Sequence, residues 1–326
     1  MSLTSIIIPT HNRPHLLAGA VESARAAGSN IEDIVVDDAS TDATASVCAS
    51  LRGIKYVRLD RNQRVAGARN VGLLASCGEY VTFLDDDDLR LPYSLDEQVK
   101  LLELDKEAGL VFGQAFLGDE SCKPTNEVYP AVCRQGDAFW DLLVQNFIPC
   151  GSAVFRRSCL NRVGLLDSDL PGVDDWDLWV RIAELYPIIA LERPVMIWRR
   201  STPFSGQGTS QVANIVSQAV RQFRRSWMKL PRAANAQSNT RREAWQQFSA
   251  LLAAHLLADA RSALRISDLS RAARNFLTLA NLDPLVVVRL LRKRSRLRLL
   301  RPIVGQAQET SASYQVRGSL AKIFDS

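Results

Sequence analysis

The amino-acid sequence predicts a mixed α/β domain followed by a smaller all-α C-terminal region. Two observations indicate this fold class: strand and helix patterns alternate near the N-terminus, and amphipathic helical patterns follow residue 210. A third observation, the change in the sign of the charge along the chain, indicates where the two parts meet. Residues 1–205 carry 20 Lys and Arg against 29 Asp and Glu, whereas residues 206–326 carry 20 against 6. We therefore expect two domains, 1–205 and a basic helical 206–326, with a boundary near the polar stretch at 201–210.

The first elements of the chain alternate between strand and helix patterns. Residues 5–9 (SIIIP) form an apolar run closed by proline, as expected for a strand that is buried on both faces of a parallel sheet. The alternation continues with a helix at 15–27, a strand at 31–36, a helix at 42–51, a strand at 54–59, a helix at 65–76 and a strand at 80–84. This order predicts parallel strands with right-handed crossovers and a ligand crevice at their carboxyl ends.

Helical spacing characterises the second half of the chain. Apolar residues recur at helical intervals from Val212 to Trp227, and Thr240 with Glu243 forms a capping box ahead of another apolar pattern. Residues 255–284 are typical of one helical hairpin, because no second copy follows at a fixed period. The second half is therefore expected to be helical throughout.

Acidic residues gather where the strands are predicted to end. Asp37 and Asp38 close the second strand, residues 85–88 (DDDD) follow the strand at 80–84, and residues 174–177 (DDWD) lie farther along. Consecutive carboxylates repel one another unless a cation lies between them, and oxygen ligands with few His or Cys suit Mg²⁺ or Mn²⁺. A hard divalent metal explains the pattern, and a solvated acidic loop is the alternative for any single run.

Successive motifs of this sequence resemble those of the family 2 glycosyltransferases with the GT-A fold. They are the segments 5–13 (SIIIPTHNR), 36–42 (VDDASTD), 68–72 (ARNVG), 78–80 (GEY), 83–88 (FLDDDD), 151–157 (GSAVFRR) and 174–181 (DDWDLWVR). Their order and spacing match as well, over roughly the first 200 residues. The resemblance implies a Rossmann-like domain that transfers a sugar from a nucleotide-diphosphate donor.

The resemblance also implies where the nucleotide base would lie. Pro9, His11 and Asp38, with Asp37 adjacent, would surround a uracil-like ring, and a UDP-sugar is the expected donor. A carboxylate suits this position because it can accept a hydrogen bond from the imide N–H of uracil.

The DxD motif of the family corresponds to Asp85, Asp86 and Asp87. Asp86 would contact the ribose, and Asp87 would reach the Mn²⁺ or Mg²⁺ that bridges the two phosphates. Such a metal acts as a Lewis acid on the departing diphosphate. Arg69 is a candidate for binding the phosphates or for a salt bridge that supports the fold, and both alternatives stay open.

Asp175 occupies the position of the family's catalytic base. In an inverting enzyme it would take the proton of the acceptor hydroxyl, a contribution of roughly 10²–10⁴-fold. Asp174 stands where the family more often has Glu. For Asp177 we favour a helix N-terminal carboxylate, and for Trp176 and Trp179 we favour buried packing over an acceptor-stacking role.

Two basic segments admit two interpretations each. Arg199 and Arg200 match the place of a flexible loop over the diphosphate in the family, or they belong to a solvated basic loop. Residues 284–301 predict a cationic amphipathic helix that either meets an anionic membrane surface or packs back on the acidic domain. Nucleic-acid binding is not expected, because the segment lacks aromatic platforms.

The sequence therefore predicts an inverting, metal-dependent glycosyltransferase that uses a glycan or lipid-linked acceptor, as in polysaccharide biosynthesis. The alternative is a non-catalytic module that binds sugar nucleotides or glycans through the same fold. A signal-peptide pattern and an apolar run of membrane-spanning length are both lacking, so we expect a cytoplasmic protein or one held at the cytoplasmic face of a membrane. With 47% hydrophobic residues, the composition excludes a disordered or fibrous chain.

Overall fold

The computed structural model describes residues 2–199 and 211–282 of the chain. These residues form two compact units, one of residues 2–139 and 148–199 and the other of residues 140–147 and 211–282. The predicted boundary at 205/206, Arg200 and the basic segment 284–301 lie outside the described residues. The division into domains at 205/206 therefore stays a prediction.

A mixed sheet of nine strands, counted over the described residues, organises the first unit. The strands are β1 (Thr4–Thr10), β2 (Ile31–Asp37), β3 (Lys55–Arg58), β4 (Tyr80–Phe83), β5 (Leu89–Arg90), β6 (Leu110–Gly118), β7 (Pro124–Tyr129), β8 (Ala153–Arg156) and β9 (Ile188–Arg199). Their order is β3-β2-β1-β4-β8-β6-β9-β5, and β7 pairs with β6.

The helices alternate with these strands and then continue alone. They are α1 (Pro14–Ala27), α2 (Thr44–Ser50), α3 (Arg64–Ala75), α4 (Ser94–Leu104), α5 (Phe139–Val144), α6 (Leu160–Val163), α7 (Asp174–Leu185), α8 (Val212–Arg225), α9 (Pro231–Ala234), α10 (Ser238–Arg265) and α11 (Leu269–Leu282). None of the helices in the described ranges combines the length and the apolar character that crossing a bilayer requires.

The four predicted N-terminal strands pair in parallel. β1 lies between β2 and β4, and β3 pairs with β2. Every residue of β1 is buried, as a strand covered on both faces must be. The register sets Thr10 opposite Asp37 and Ile7 opposite Phe83. The carboxyl ends of β1, β2 and β4 therefore meet at one edge of the sheet.

The other half of the sheet mixes parallel and antiparallel pairings. β8 runs antiparallel to β4 and to β6, whereas the long strand β9 runs parallel to β6 and antiparallel to β5. These pairings join segments far apart in sequence, so hydrophobic period alone does not predict them. They bring the end of β9 to the residues that follow β4, because β5 begins at Leu89 and pairs with Ile197.

Four of the described helices make up most of the second unit. Phe223 of α8 stacks on Phe248 of α10 with ring centroids 4.4 Å apart, and Trp227 meets the same ring edge-on. Asp259 of α10 accepts hydrogen bonds from Arg271 and from Asn275 of α11, the latter at 2.6 Å. The predicted helical hairpin thus corresponds to α10 and α11, which are held together by apolar packing and by the polar cluster around Asp259.

The predicted capping box at Thr240 and Glu243 is wrong. Helix α10 begins at Ser238, so Thr240 is the third helical residue and does not occupy the capping position. Gln237 takes the capping position and makes no side-chain cap. The signal failed because Ser238 and Asn239, which favour caps, adopt helical conformation here.

Helix α3 packs on β1 with almost no space between their backbones. A Cβ atom added to Gly72 would lie well inside van der Waals contact of the Ile7 side chain, and Ile7 is fully buried in the sheet. Gly19 of α1 is exposed, and a Cβ there would meet Leu89 at an ordinary 3.9 Å. Position 72 therefore has no space for a larger side chain, whereas position 19 does.

We expect Gly72→Ala to lower the free energy of unfolding by about 1–3 kcal/mol, because overpacking displaces α3 from β1. The matched change Gly19→Ala should be neutral or stabilising by up to about 1 kcal/mol, since Ala favours a helix over Gly. Urea unfolding of both variants measures the difference. Equal stabilities would contradict the close approach of α3 and β1.

Candidate active site

The predicted site residues lie at the shared carboxyl edge of β1, β2 and β4. The loops at this edge contain three non-glycine residues in the left-handed conformation, namely Asn12 (φ 56°), Ala39 (φ 60°) and Arg64 (φ 62°). Such residues cost about 1 kcal/mol or more each and persist where the surroundings hold them. Here Asn12 accepts a hydrogen bond from the Thr41 N–H at 2.8 Å and donates its own N–H to Ser40 at 3.0 Å.

The two carboxylates that end β2 have different surroundings. Asp37 is fully buried and accepts hydrogen bonds from the Ser40 N–H at 2.8 Å and from the Tyr56 hydroxyl at 2.7 Å. Burial alone would raise the pKa of Asp37, but these hydrogen bonds lower it, so the group is held ionised. Its bonds are made within its own loop and to β3.

Asp38 faces the loop before α3, beside His11. Its Oδ1 accepts a hydrogen bond from the Gln63 N–H at 2.6 Å, and burial raises its pKa. His11 Nδ1 lies 2.8 Å from the Asp38 carbonyl oxygen. Pro9, in β1, is within the same buried strand end. The structure therefore brings together the residues predicted to surround a base.

Asp86 is the most enclosed member of the first three carboxylates after β4. Its Oδ2 accepts a hydrogen bond from the Thr10 hydroxyl and its Oδ1 pairs with Arg13, both at 2.7 Å. Burial raises the pKa of Asp86 to about 7 despite this ion pair. Arg13 also lies 3.4 Å from Asp87. Motif reasoning missed Arg13, although it closes the first motif (SIIIPTHNR).

The neighbouring carboxylates converge on a common point. Among the described residues, Asp85, Asp87 and Asp88 each offer an oxygen, and these oxygens lie within 4.8 Å of one another. Burial and mutual repulsion raise the pKa values of Asp87 and Asp88. Three converging oxygens that repel one another fit a hard divalent cation. Only Asp87 was predicted as a ligand, so the structure adds Asp85 and Asp88 as candidates.

Arg199 holds this cluster from the end of β9. Its N–H donates to Asp88 Oδ1 at 2.9 Å, and its Nε donates to the Asp87 carbonyl oxygen at 2.6 Å. The side chain also donates to the Glu120 carbonyl oxygen at 2.7 Å. Arg199 is thus bound to the loop that carries the acidic cluster. The sequence left open a loop over the diphosphate or a solvated basic loop, and this arrangement differs from both.

Arg69 of α3 joins the acidic cluster to the start of α7. Its guanidinium lies 2.6 Å from Asp85 and 2.8 Å from Asp174, and only 4% of the side chain is exposed. It also lies over the Phe83 ring, 5.3 Å from the centroid. Burial opposes its charge, but the surrounding acidic groups more than offset this effect and raise the pKa of Arg69. These contacts correspond to the salt-bridge alternative, and a phosphate role stays a prediction.

Asp175 lies beside this ion pair in the first turn of α7. Its carboxylate accepts a hydrogen bond from the Trp176 N–H at 2.6 Å and is partly exposed. Burial, with added repulsion from Asp174, raises the pKa of Asp175 to about 7. A carboxylate with a pKa near neutrality can both accept and release a proton at physiological pH.

The remaining residues of this turn support the helix and the core. Asp177 lies in the first turn of α7 and pairs with Arg181 at 2.8 Å, in agreement with the structural interpretation. Trp179 is 1% exposed and packs against Phe83 and Phe155. Trp176 is also buried. The favoured packing role of both tryptophans thus agrees with their positions.

Comparison with known structures identifies the fold of this architecture. The chain resembles the mannosyltransferase PcManGT from Pyrobaculum calidifontis, solved in complex with GDP-Man and Mn²⁺, with a TM-score of 0.55. The match covers 99% of this chain and 88% of that one, at 19% identity. The fold is therefore of the GT-A type, and the predicted fold class is confirmed.

Sequence comparison identifies the family. The model described as "Glycosyl transferase family 2" matches residues 5–164, and this part of the chain belongs to that family. The resemblance inferred from the motifs is thus confirmed. An uncharacterized glycosyltransferase of Rickettsia felis is 29% identical over 221 residues, which are 65% of this chain and 36% of that protein.

A relative from Escherichia coli has a more specific name. It is UDP-Glc:alpha-D-GlcNAc-diphosphoundecaprenol beta-1,3-glucosyltransferase WfaP, 35% identical over 109 residues, or 32% of this chain and 43% of that protein. The chain thus spans less than half the length of the Rickettsia felis and Escherichia coli relatives in these matches.

We expect Arg69→Met to lower the free energy of unfolding by about 3 kcal/mol, because it leaves Asp174 buried without its cation. The control Arg58→Met removes a half-exposed arginine 3.9 Å from Asp37 and should cost less than about 1 kcal/mol. Urea unfolding compares the two. A stable Arg69 variant that fails only to bind a nucleoside diphosphate would contradict the salt-bridge role and support phosphate binding.

Proposed function

We propose that this chain is an inverting, metal-dependent glycosyltransferase that moves a sugar from a UDP-sugar to an acceptor hydroxyl. The observation that carries the proposal is the linkage of two acidic groups through one buried guanidinium. Arg69 contacts Asp85 of the cluster after β4 and Asp174, the neighbour of Asp175. In this proposal, Arg69 contacts the proposed cation site through Asp85 and lies beside the proposed base, Asp175, through Asp174.

We assign the nucleotide base to the loops after β1 and β2. Asp38 would accept the imide N–H of uracil, while its other contact, from the Gln63 N–H, keeps the carboxylate in place. His11 and Pro9 would flank the ring. Asp37 would stabilise the loop through the hydrogen bonds that it accepts from Ser40 and Tyr56. The name of the Escherichia coli relative includes UDP-Glc, which agrees with a UDP-sugar, whereas the Pyrobaculum structure holds GDP-Man.

The diphosphate would lie at the acidic cluster. Asp87, with Asp85 and Asp88 close by, would hold Mn²⁺ or Mg²⁺, and Asp86 would receive a ribose hydroxyl. The metal, when bound, supplies Lewis-acid stabilisation of the departing diphosphate. Arg13 and Arg199 hold the carboxylates in place through their contacts with Asp86, Asp87 and Asp88. The Mn²⁺ in the Pyrobaculum structure agrees with this assignment.

Asp175 is assigned as the general base. In its ionised form it would accept the proton of the acceptor hydroxyl while that oxygen attacks the anomeric carbon from the face opposite the diphosphate. Asp174, paired with Arg69, repels a negative charge on Asp175 and so adds to the raised pKa of Asp175. The acceptor would be a glycan or a lipid-linked sugar, and the diphosphoundecaprenol in the name of the Escherichia coli relative belongs to the second class.

A lipid-linked acceptor would place the enzyme at the cytoplasmic face of a membrane, within polysaccharide biosynthesis. Residues 284–301 would then meet the anionic surface, and residues 206–326 would form a separate basic domain. This placement is supported by the charge of that half of the chain.

Asp87→Ala should abolish Mn²⁺-dependent binding of UDP without unfolding the protein, because it removes a cation ligand at the end of the sheet. The control Glu107→Ala removes an exposed carboxylate outside the acidic cluster and should bind UDP as the wild type does. Calorimetry with and without Mn²⁺ measures both. An Asp87 variant with an unchanged metal requirement would show that these residues are not the metal site.

Asp175→Asn should leave UDP binding intact and lower sugar transfer by at least about 100-fold, because the amide cannot accept the proton. The wild-type rate should rise as the pH increases through about 7, where Asp175 loses its proton, and this rise should be missing in the variant. Asp169→Asn, at an exposed loop position, is the matched control. Near-normal transfer by the Asp175 variant would move the base to Asp174 or Asp177, and absent transfer by the wild type would favour the non-catalytic alternative.

A further inference from the structure

The helical unit contains a cationic cleft that the proposed reaction does not use. The cleft is shallow and largely open to solvent, has a volume of about 400 Å³, and is lined by residues of α8 and of the start of α10. Its lining includes three arginines, Arg224, Arg241 and Arg242, and two aromatic side chains, Phe223 and Trp245. We call these five residues the arginine cleft.

Aromatic packing holds one wall of the arginine cleft. The guanidinium of Arg224 lies over the Trp245 ring, 4.4 Å from the centroid. Trp245 packs in turn on Phe223, with centroids 5.4 Å apart, and Phe223 is 2% exposed. Because Phe223 is part of the aromatic core of this unit, the position of the Arg224 guanidinium follows from buried contacts. Its edge, which carries the N–H donors, stays free to bind a ligand.

The positive charge of the cleft has no matching carboxylate within residues 211–282. None of its three arginines makes an ion pair with another residue of that range. This range carries eleven Lys and Arg but three Asp and Glu. Asp259 is bound to Arg271, Asp268 accepts the Arg271 N–H, and Glu243 accepts a hydrogen bond from Gln247. The acidic groups of the range are therefore already engaged.

The backbone adds to this charge. Arg241 and Arg242 follow the first turn of α10, a helix of 28 residues. That first turn contains no acidic residue, and Gln237 makes no side-chain cap, so the positive end of the helix dipole meets no negative group there. The arginine side chains and the helix end act in the same direction, toward an anion.

We propose that the arginine cleft binds the phosphate group of a phosphomonoester or phosphodiester, with the organic part of the ligand against Trp245. Planar guanidinium groups form paired hydrogen bonds with phosphate oxygens, and the aromatic wall accommodates apolar atoms beside them. Binding requires no divalent metal, because the arginines supply the charge. The phosphate comes from one of two sources, the headgroup of an anionic lipid or a soluble phosphorylated molecule.

The first test uses the full chain and glycerol 3-phosphate as the soluble probe, in EDTA to exclude metal-dependent binding. Arg241→Gln with Arg242→Gln should weaken binding at least about tenfold, because two charge-assisted contacts are lost. The matched control, Arg221→Gln with Arg261→Gln, removes the same charge at exposed positions outside the cleft and should bind as the wild type does. Calorimetry measures affinity, and circular dichroism confirms that each variant is folded.

A second variant keeps the test valid if the double change disturbs α10. Arg224→Lys retains the positive charge but removes the planar group over Trp245, so it should also weaken binding of glycerol 3-phosphate. A cleft that merely attracts anions by net charge would bind equally well with Lys at this position, and the proposal would then be wrong.

Sedimentation with vesicles distinguishes the two sources of phosphate. If the cleft variant, and not the control, loses binding to phosphatidylglycerol vesicles relative to phosphatidylcholine vesicles, the ligand is a lipid headgroup. If it loses only glycerol 3-phosphate, the ligand is a soluble phosphorylated molecule. If cleft and control variants behave alike with both probes, the arginine cleft is not a phosphate site.

Discussion

The buried ion pair of Arg69 with Asp85 and Asp174 is the constraint on which the acidic edge of the sheet depends. It connects Asp85, two residues after β4, with the first residue of α7, which is 105 residues away from Arg69 in the sequence. Taking these charges out of water is unfavourable unless each is paired closely, so the distances of 2.6 and 2.8 Å leave little freedom. The position of Asp175, the next residue along α7, follows from this pairing.

Arginines and carboxylates are unequally matched around this ion pair. Arg13, after β1, and Arg199, at the end of β9, contact Asp86, Asp87 and Asp88, yet the pKa values of these carboxylates remain raised. Burial and mutual repulsion therefore exceed what the arginines neutralise. The excess negative charge is what a divalent cation would relieve, and the strained loop residues Asn12, Ala39 and Arg64 show that the chain accepts further cost at the same edge.

The two units carry opposite chemistry. The first gathers carboxylates at a sheet edge, whereas the described part of the second exposes arginines against few acidic groups. A carboxylate site suits cations and sugar hydroxyls, and an arginine cleft suits phosphate. Under the proposed function, the first unit recognises the donor, while the charge of the second unit is suited to a phosphate-bearing partner.

The sequence by itself determined the parallel strands and the acidic motifs, because both are encoded in neighbouring residues: an apolar run buries a strand on two faces, and contiguous carboxylates follow its end. Only the tertiary structure decided which charges meet. The ion pair of Arg13 with Asp86 joins segments 73 residues apart, and the hydrogen bond from the Arg199 backbone N–H to Asp88 joins segments 111 residues apart. The antiparallel half of the sheet likewise pairs segments that are distant in sequence. The grouping of residues 140–147 with the second unit and the start of α10 ahead of Thr240 were also decided there. Contacts between distant segments leave no periodic trace in a single sequence, since they depend on how the whole chain packs.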